Sequence, residues 1–190
     1  MSRQRVKPSD AAAASPVPDR LQGLAPVISR TTVLVVLGSF PGAASLAAQQ
    51  YYGHPQNHFW RIMEAIFSVK TPESQHQMAL DSYQNRSKWL LTQGVGLWDV
   101  YASCERQGSL DSAIRNPQVN DFAWLKAQCP QLKAIAHNGG ESFRHAEATA
   151  GLGLAVHKLP STSPANASWS FCAKLAAWRE VMVLHGLVPS

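Results

Sequence analysis

The chain has 190 residues, of which 45% are apolar and 15% charged, and this composition excludes a wholly disordered protein. The formal net charge is +5. Residues 1–30 hold five basic and two acidic residues, so the rest of the chain carries a net charge of only +2. No apolar run approaches ~18 residues, so we expect no membrane span.

The three cysteines lie far apart and form no C-x-x-C pair. This spacing gives no sign of a disulfide framework or of a zinc or iron–sulfur site. We therefore predict no metal and no cofactor. The N-terminal region lacks an apolar segment long enough for a signal peptide, so we expect a cytoplasmic protein.

Residues 1–25 are rich in alanine, proline, serine and charge and show no apolar periodicity. They predict a flexible basic arm. No second linker of comparable length follows, so residues 26–190 predict a single folded domain.

Four apolar runs predict strands. Residues 33–37 form a continuous β-branched run, which is typical of a strand buried on both faces of a parallel sheet. Three further runs predict strands at 96–100, 132–136 and 155–159. Helices are predicted at 57–68, 76–92, 120–128, 141–150 and 168–185, the last with Ser168 as its cap. This alternation predicts an α/β fold, a three-layer αβα sandwich with a central four-stranded parallel sheet.

In folds of this kind, ligands bind beyond the carboxyl ends of the strands. The loop after the first strand is Gly38-Ser39-Phe40-Pro41-Gly42. Its glycines and proline allow the backbone to come close to a ligand. The same residues would equally suit an ordinary tight connection.

The chain continues with Tyr51 and Tyr52, followed by two histidines and Asn57 just before a helix. Either tyrosine could stack on a nucleobase or simply pack in the core. Asn57 is placed to cap the helix. His54 and His58 have the spacing of metal ligands, but a proline lies between them and no carboxylate is near, so no metal site is predicted.

The loop after the fourth strand, residues 159–168, consists mostly of serine, threonine, proline and alanine. Its hydroxyl and backbone N–H groups suit contacts to phosphate. An ordinary loop leading into a capped helix would have a similar composition.

Taken in order, these segments resemble the uracil-DNA glycosylase superfamily, and most closely its hypoxanthine-DNA (deoxyinosine) glycosylase branch. The resemblance covers about residues 31–185. The segments that carry it are Gly38–Gly42, Tyr52, His54–Trp60, Gly94–Val100, Gly108–Ser112, Asn138–Gly140 and Leu159–Ser161.

The resemblance implies a DNA repair enzyme that flips a damaged base into a pocket and hydrolyses its bond to deoxyribose. It implies a stacking role for Tyr52 and a pocket floor formed by Gly38, Ser39 and Phe40. Asp99 would face the base. Asn138, at the end of a strand, would line the same pocket.

The partner implied is double-stranded DNA with a damaged or mispaired base, bound by a monomer. The loop after the fourth strand would press on the minor groove. Expected DNA contacts come from this loop and from the first one. They are Ser45, Ser161, Thr162, Ser163, Pro164, Ala165 and Asn166.

Two positions depart from the pattern of the best-studied branches. Phe40 stands where those branches carry an Asp or Asn that directs water, and Leu159 stands where the uracil enzymes carry a histidine. We expect Asn57 to be the principal catalytic residue, by orienting a water, with helix capping as its alternative role. The loops contain no lysine for a Schiff base, so a monofunctional reaction that leaves an abasic site is expected.

The leading hypothesis is a glycosylase for deaminated bases, with hypoxanthine as the first substrate and xanthine also considered. A uracil- or mismatch-directed glycosylase is the alternative within the same class. A non-catalytic protein that binds damaged DNA is the alternative outside it, in which Phe40 and Leu159 would mark lost chemistry.

Overall fold

The structure is a computed structural model that describes residues 20–68 and 82–189. A parallel sheet of four strands lies at its centre, in the order β3-β2-β6-β7. The strands in chain order are β1 (Arg20–Gln22), β2 (Leu34–Gly38), β3 (Val95–Asp99), β4 (Tyr101–Glu105), β5 (Arg115–Val119), β6 (Ala134–Asn138) and β7 (Ala155–Leu159). The central sheet confirms the predicted α/β class.

Helices cover both faces of this sheet. They are α1 (Ala43–Ala48), α2 (Phe59–Phe67), α3 (Tyr83–Thr92), α4 (Phe122–Gln128), α5 (Gly140–Phe143), α6 (Ala146–Ala150) and α7 (Phe171–Leu184), with a short 3-10 helix at Asp111–Ala113. Leu34 and Val36 of β2 pack into a core with α2, α3 and α7, and Val35 and Leu37 into a second core with α4. Because successive strand residues point to opposite faces, one buried strand serves both cores.

A small antiparallel sheet in the order β1-β4-β5 lies beside the main one and was not predicted. Its strand β1 corrects the predicted boundary of the N-terminal arm, because residues 20–22 pair with Ser103–Glu105. Arg20 Nε also donates to Ser103 Oγ at 3.0 Å. The folded domain therefore begins at or before residue 20, and residues 1–19 of the predicted arm lie outside the described residues.

Several helices and strands begin or end at other residues than the sequence predicts. The predicted third strand moves two residues later, so that β6 ends on Asn138. The helix predicted at 141–150 is split into α5 and α6. Of the helix predicted at 76–92, residues 76–81 lie outside the described part, and the described helix α3 begins after Ser82.

The cap of the final helix also differs from the prediction. Ser170, and not Ser168, caps α7 by accepting a hydrogen bond from Ala173 N at 3.2 Å. Ser168 donates instead to Asn166 Oδ1 at 2.9 Å. Both serines suit a cap chemically, and the contact with Asn166 keeps Ser168 in the preceding loop.

No helix in residues 20–68 and 82–189 is long and apolar enough to cross a membrane.

The turn after β6 requires glycine at position 139. Gly139 has φ of +107°, and a Cβ there would lie 2.9 Å from Ser161 Cβ. Gly139 N also donates to Leu159 O at 3.0 Å. This turn therefore holds the loop after β7 directly against the end of β6.

We expect Gly139→Ala to lower the free energy of unfolding by about 1–3 kcal/mol, because a side chain would be strained at this φ and would meet Ser161. Gly140→Ala is the matched control, since a Cβ at Gly140 has no heavy atom within 4 Å. Urea unfolding of both variants measures the difference. Equal urea midpoints for the two variants would contradict the close approach of Gly139 to Ser161.

Candidate active site

A cavity of about 400 Å³ opens at the carboxyl ends of β2, β3 and β6. It brings together residues from every loop that the sequence singled out, together with several that it did not. The lining residues are Gly38–Gly42, Ala44, Ser45, Tyr51, Tyr52, His54, Asn57, Asp99, Ser109–Asp111, Asn138, Ser161 and Ser163–Asn166. This is the location expected for a ligand site in an open parallel sheet.

The floor of the cavity depends on a close approach between two neighbouring strands. Gly38 and Asp99 are register partners at the ends of β2 and β3. A Cβ on Gly38 would lie 2.2 Å from Asp99 Oδ1, well inside van der Waals contact. Glycine is therefore required at position 38 so that the Asp99 carboxyl can turn across the strand end.

Asp99 is a buried carboxyl group with an unusual electrostatic environment. It is 4% exposed, and its Oδ2 has no hydrogen-bond partner among the described residues. Burial raises the pKa of Asp99 from 3.8 to about 7; the charge of Asp111 adds to the rise and that of Arg106 opposes it. A carboxyl with this pKa exists in both charged and neutral forms near neutral pH.

Arg106 supports the first loop from behind the cavity. It is 8% exposed, its Nη2 donates to Pro41 O, and its guanidinium lies 5.0 Å from the centre of the Phe40 ring. Phe40 itself is buried in the second core. Phe40 thus lines the cavity while its ring anchors the loop in this core.

The structure distinguishes the two tyrosines. Tyr51 is 2% exposed, and its hydroxyl donates to Leu24 O at 3.2 Å, which makes it a core residue. Tyr52 is only partly buried and stacks on Phe59, with ring centres 4.0 Å apart and planes at 24°. Because Phe59 covers one face of the Tyr52 ring, only the opposite face remains for a ligand. Tyr52 also has φ of +55°, a strained conformation that is common at functional sites.

Asn57 lies on the cavity wall just before α2. Its Oδ1 accepts a hydrogen bond from Phe59 N at 2.9 Å. The N-cap position of α2 is His58, so Asn57 lies one residue before the predicted cap and binds the first helical N–H from there. An amide oxygen has two lone pairs, and one therefore remains for a second donor. The bond from Phe59 N fixes the direction of this side chain and is compatible with the orientation of a water.

The loop after β7 is held from several sides. Thr162 and Asn138 exchange two hydrogen bonds, Thr162 N to Asn138 Oδ1 at 2.9 Å and Asn138 Nδ2 to Thr162 Oγ1 at 3.0 Å. From α7, Trp178 Nε1 donates to Pro160 O at 3.1 Å and Lys174 Nζ to Asn166 O at 2.9 Å. These contacts hold a segment without regular secondary structure in one conformation.

Two of the predicted DNA contacts have internal roles instead. Thr162 is fully buried, so its hydroxyl cannot reach a phosphate in this conformation, and it fixes the loop through Asn138. Ser45 is 6% exposed, and its Oγ accepts from Gly53 N at 3.0 Å, which braces the turn that carries Tyr52. Pro164 and Ala165 are exposed, and Ser161, Ser163 and Asn166 are half-buried at the cavity rim.

The opposite rim is formed by residues that the sequence did not assign to the site. Ser109 Oγ accepts from Ala43 N at 2.9 Å, and Ser39 Oγ donates to Asp111 Oδ1 at 2.6 Å. Between them, Leu110 lines the cavity and is 61% exposed. The only sequence signal for this rim was the match of Gly108–Ser112 to the resembled branch.

The cavity lies at the strand ends of an αβα sandwich, and a comparison with known families identifies the class of protein that has this arrangement. Residues 25–182 match the sequence profile of the Uracil DNA glycosylase superfamily. The chain belongs to this superfamily, as the order of its loop motifs indicated.

Curated relatives narrow the comparison further. The chain is 35% identical over 159 residues to a protein of Methanosarcina barkeri named "Hypoxanthine DNA glycosylase", covering 84% of this chain and 96% of the relative. A protein of the same name from Methanosarcina acetivorans is 36% identical over 149 residues, covering 78% of this chain and 90% of the relative.

A solved structure agrees with the fold. The solution NMR structure of a Methanosarcina acetivorans protein, provisionally described as a uracil DNA glycosylase, matches with a TM-score of 0.75 and 32% identity. The match covers 88% of this chain and 99% of the other.

The raised pKa of Asp99 predicts a pH-dependent stability. The folded protein holds this proton up to about pH 7, whereas the group ordinarily releases it near pH 3.8. The folded state therefore binds more protons between these values, and the Asp99 contribution to stability falls as pH rises through them. We expect Asp99→Asn to unfold at least about 3 °C above the unsubstituted protein at pH 8, the shift that ~1 kcal/mol produces in a domain of this size.

Thermal unfolding at pH 4.5 and pH 8 measures this effect. The advantage of Asp99→Asn should be smaller at pH 4.5, where Asp99 itself is neutral. Glu147→Gln, which neutralises an exposed carboxylate, is the control and should show no such difference. A difference between Asp99→Asn and the unsubstituted protein that does not vary with pH would be inconsistent with a buried, protonated Asp99.

Proposed function

We propose that this protein is a DNA glycosylase that removes deaminated bases, hypoxanthine first, from double-stranded DNA. The observation that carries the proposal is the buried Asp99 carboxyl at the floor of a cavity whose walls include Tyr52 and Asn57. Asp99 would supply a polar group for the edge of the base, Tyr52 an aromatic face for stacking, and Asn57 an amide beside the expected position of the sugar. The names of the Methanosarcina relatives support hypoxanthine as the base.

A base enters such a cavity only if its nucleotide rotates out of the duplex, and this costs least for a mispaired or damaged base. The free face of Tyr52 would stack on the flipped base, and stacking of this kind contributes about 1–3 kcal/mol per base. Because Tyr52 is fixed by Phe59 and by the turn at Gly53, little side-chain freedom would be lost on binding.

Cleavage of the glycosidic bond develops positive charge on the sugar and negative charge on the leaving base. In its neutral form, Asp99 can donate a hydrogen bond to the base, where that negative charge appears. Its raised pKa makes the neutral form available near pH 7. Asn57 Oδ1, with one lone pair uncommitted, would orient a water towards the sugar carbon.

A strong general base is not needed when the bond is largely broken before water attacks. This accounts for activity without a carboxylate at position 40 and without a histidine at position 159. None of the described residues that line the cavity is a lysine. The proposed reaction is therefore monofunctional hydrolysis, which leaves an abasic site. We propose that the protein acts as a monomer.

The test is excision from duplexes that carry one hypoxanthine, uracil or xanthine, followed by alkaline cleavage of abasic sites. We expect the greatest strand scission with hypoxanthine and none without alkali. Scission only with uracil would favour the uracil-directed alternative. Binding to damaged duplex without scission would reduce the protein to a non-catalytic binder.

The uracil-directed alternative has one specific observation in its favour. The matching solved structure is provisionally described as a uracil DNA glycosylase. Uracil is smaller than hypoxanthine, so a cavity of about 400 Å³ that admits the purine also has room for the pyrimidine. Relative single-turnover rates on the two duplexes distinguish preference from exclusivity.

We expect Asn57→Ala to lower the single-turnover excision rate by about 10²-fold or more and to destabilise the fold by about 1 kcal/mol, because the bond to Phe59 N at the start of α2 is lost. Asn57→Ser separates the two roles, since serine retains an oxygen that can accept from Phe59 N but has a shorter reach. The free energy of unfolding of Asn57→Ser should be close to that of the unsubstituted protein, while its single-turnover excision rate should remain low. An excision rate for Asn57→Ser equal to that of the unsubstituted protein would contradict a catalytic role and leave Asn57 only its structural bond to Phe59 N.

A further inference from the structure

Two carboxyl groups line the strand-end cavity, and their surroundings differ. Asp99 is 4% exposed, and its Oδ2 has no hydrogen-bond partner among the described residues. Asp111 belongs to the exposed rim, and its Oδ1 accepts a hydrogen bond from Ser39 Oγ at 2.6 Å. A hydroxyl donor favours the charged form of a carboxyl group, whereas burial without a donor favours the neutral form. The surroundings thus favour a charge on Asp111 and a proton on Asp99.

The first loop links the two carboxyl groups. Gly38 is the register partner of Asp99, whose Oδ1 occupies the space that a Cβ at position 38 would need. The next residue, Ser39, binds Asp111. Adjacent residues of one loop therefore contact the two carboxyl groups, and the charge of Asp111 adds to the rise that burial causes in the pKa of Asp99. Because two neighbouring carboxylates repel each other, the two groups titrate as a coupled pair.

The hydroxyl of Ser39 acts on one member of the pair. The Asp111 carboxyl is partly desolvated against the cavity wall although the residue lies at the exposed rim, and this raises its pKa. The hydrogen bond from Ser39 opposes that rise. The unpartnered Oδ2 of Asp99 receives no such bond. A single donor therefore separates two carboxyl groups that would otherwise compete for one proton.

Other charges near the pair do not form ion pairs with it. Among the described residues, neither aspartate belongs to an ion pair. Arg106 opposes the rise in the pKa of Asp99 but is bound to the carbonyl of Pro41. Burial raises the pKa of both neighbouring tyrosines, which are therefore uncharged near neutral pH. The remaining titratable groups that face the two aspartates are Glu141, Tyr51 and Tyr52.

We propose that Ser39 and Asp111 are positioning residues that keep the proton of this carboxyl pair on Asp99, where it is available to the flipped base. Ser39 holds the negative charge on Asp111, and that charge makes loss of the Asp99 proton to solvent less favourable. Asp99 is the group that faces the base, and the other two residues act through it. This inference rests on the proposed function, because it requires the neutral Asp99 to donate a hydrogen bond to the leaving base.

The position of the proton can be measured without DNA. Carbon-13 NMR of protein labelled at the aspartate carboxyl carbons follows each titration, and Asp99→Asn and Asp111→Asn identify the two signals. We expect Asp99 to titrate near pH 7 and Asp111 at a lower pH. In Asp111→Asn, which keeps an oxygen to accept from Ser39, the Asp99 midpoint should fall by about half a pH unit or more, because a neighbouring negative charge is lost. An unchanged Asp99 midpoint would overturn the proposal.

Two further variants test the charge and the hydroxyl separately. Asp111→Glu keeps the negative charge, so its Asp99 midpoint should lie closer to that of the unsubstituted protein than the midpoint in Asp111→Asn does. Ser39→Ala removes the donor to Asp111, so the Asp111 midpoint should rise. An Asp111 midpoint that does not rise in Ser39→Ala would overturn the role of Ser39.

The same shift should appear in the reaction. Asp111→Asn should lose about threefold more of its single-turnover excision rate on hypoxanthine duplex at pH 8 than at pH 5.5. The reason is that the neutral fraction of Asp99 falls about tenfold per pH unit above its midpoint. A defect of structure alone would lower the rate by the same factor at both pH values, and that result would overturn the proposal.

Glu147→Gln is the matched control, because it also neutralises one exposed carboxylate but lies outside the cavity lining. It should leave the Asp99 midpoint and both excision rates unchanged. Thermal unfolding of each variant checks that the folds are equivalent. If the unsubstituted protein excises no base, the proposed function fails, and the NMR titration alone decides where the proton resides. An Asp99 midpoint above that of Asp111 would then support the assignment, and one below it would overturn the assignment.

Discussion

The architecture of the cavity depends on one close approach, that of the Asp99 carboxyl to the α-carbon of Gly38. The two residues are register partners on adjacent parallel strands, and the contact exists because position 38 has no Cβ. It places a carboxyl group under the first loop, away from water. The next residues continue the pairing, with Val100 N donating to Gly38 O at 2.8 Å and Tyr101 N to Ser39 O at 3.0 Å. The strand ends are thus held together where the acid is buried.

The remaining walls are fixed by polar contacts between segments distant in sequence. Asn138 binds Thr162 through both atoms of its amide, and Ser39 binds Asp111 across 72 positions of the chain. Such contacts fix the conformation of loops that have no regular secondary structure. Walls held in this way do not readily readjust to the shape of a group that enters the cavity.

The sequence predicted the central sheet well because β2, buried on both faces, is a short continuous apolar run rich in β-branched residues, which is typical of a strand inside a parallel sheet. It did not predict the small sheet. Strand β1 has three residues, and β5 is fully exposed and contains Pro117, so neither shows an apolar alternation. Pairing with β4 creates these strands, and a pairing between distant segments leaves no local signal.

The candidate site was predictable to the extent that strand ends identify it. Gly38, Tyr52, Asn57, Asp99 and Asn138 all line one cavity. Sequence alone could not distinguish Thr162 from its exposed neighbours, because burial of a hydroxyl depends on the partner that it finds. Nor could it reveal the rim at Ser109 and Asp111, whose contacts join segments far apart in the chain.

The support that α7 gives to the loop after β7 has a consequence for the order in which the protein is made. Trp178 and Lys174 bind the carbonyl groups of Pro160 and Asn166, which precede them in the chain. During synthesis the loop therefore leaves the ribosome before the helix that fixes it. A nascent chain that has produced all four strands of the central sheet therefore still lacks the contacts that order one wall of the cavity, and these contacts form only once α7 has been made.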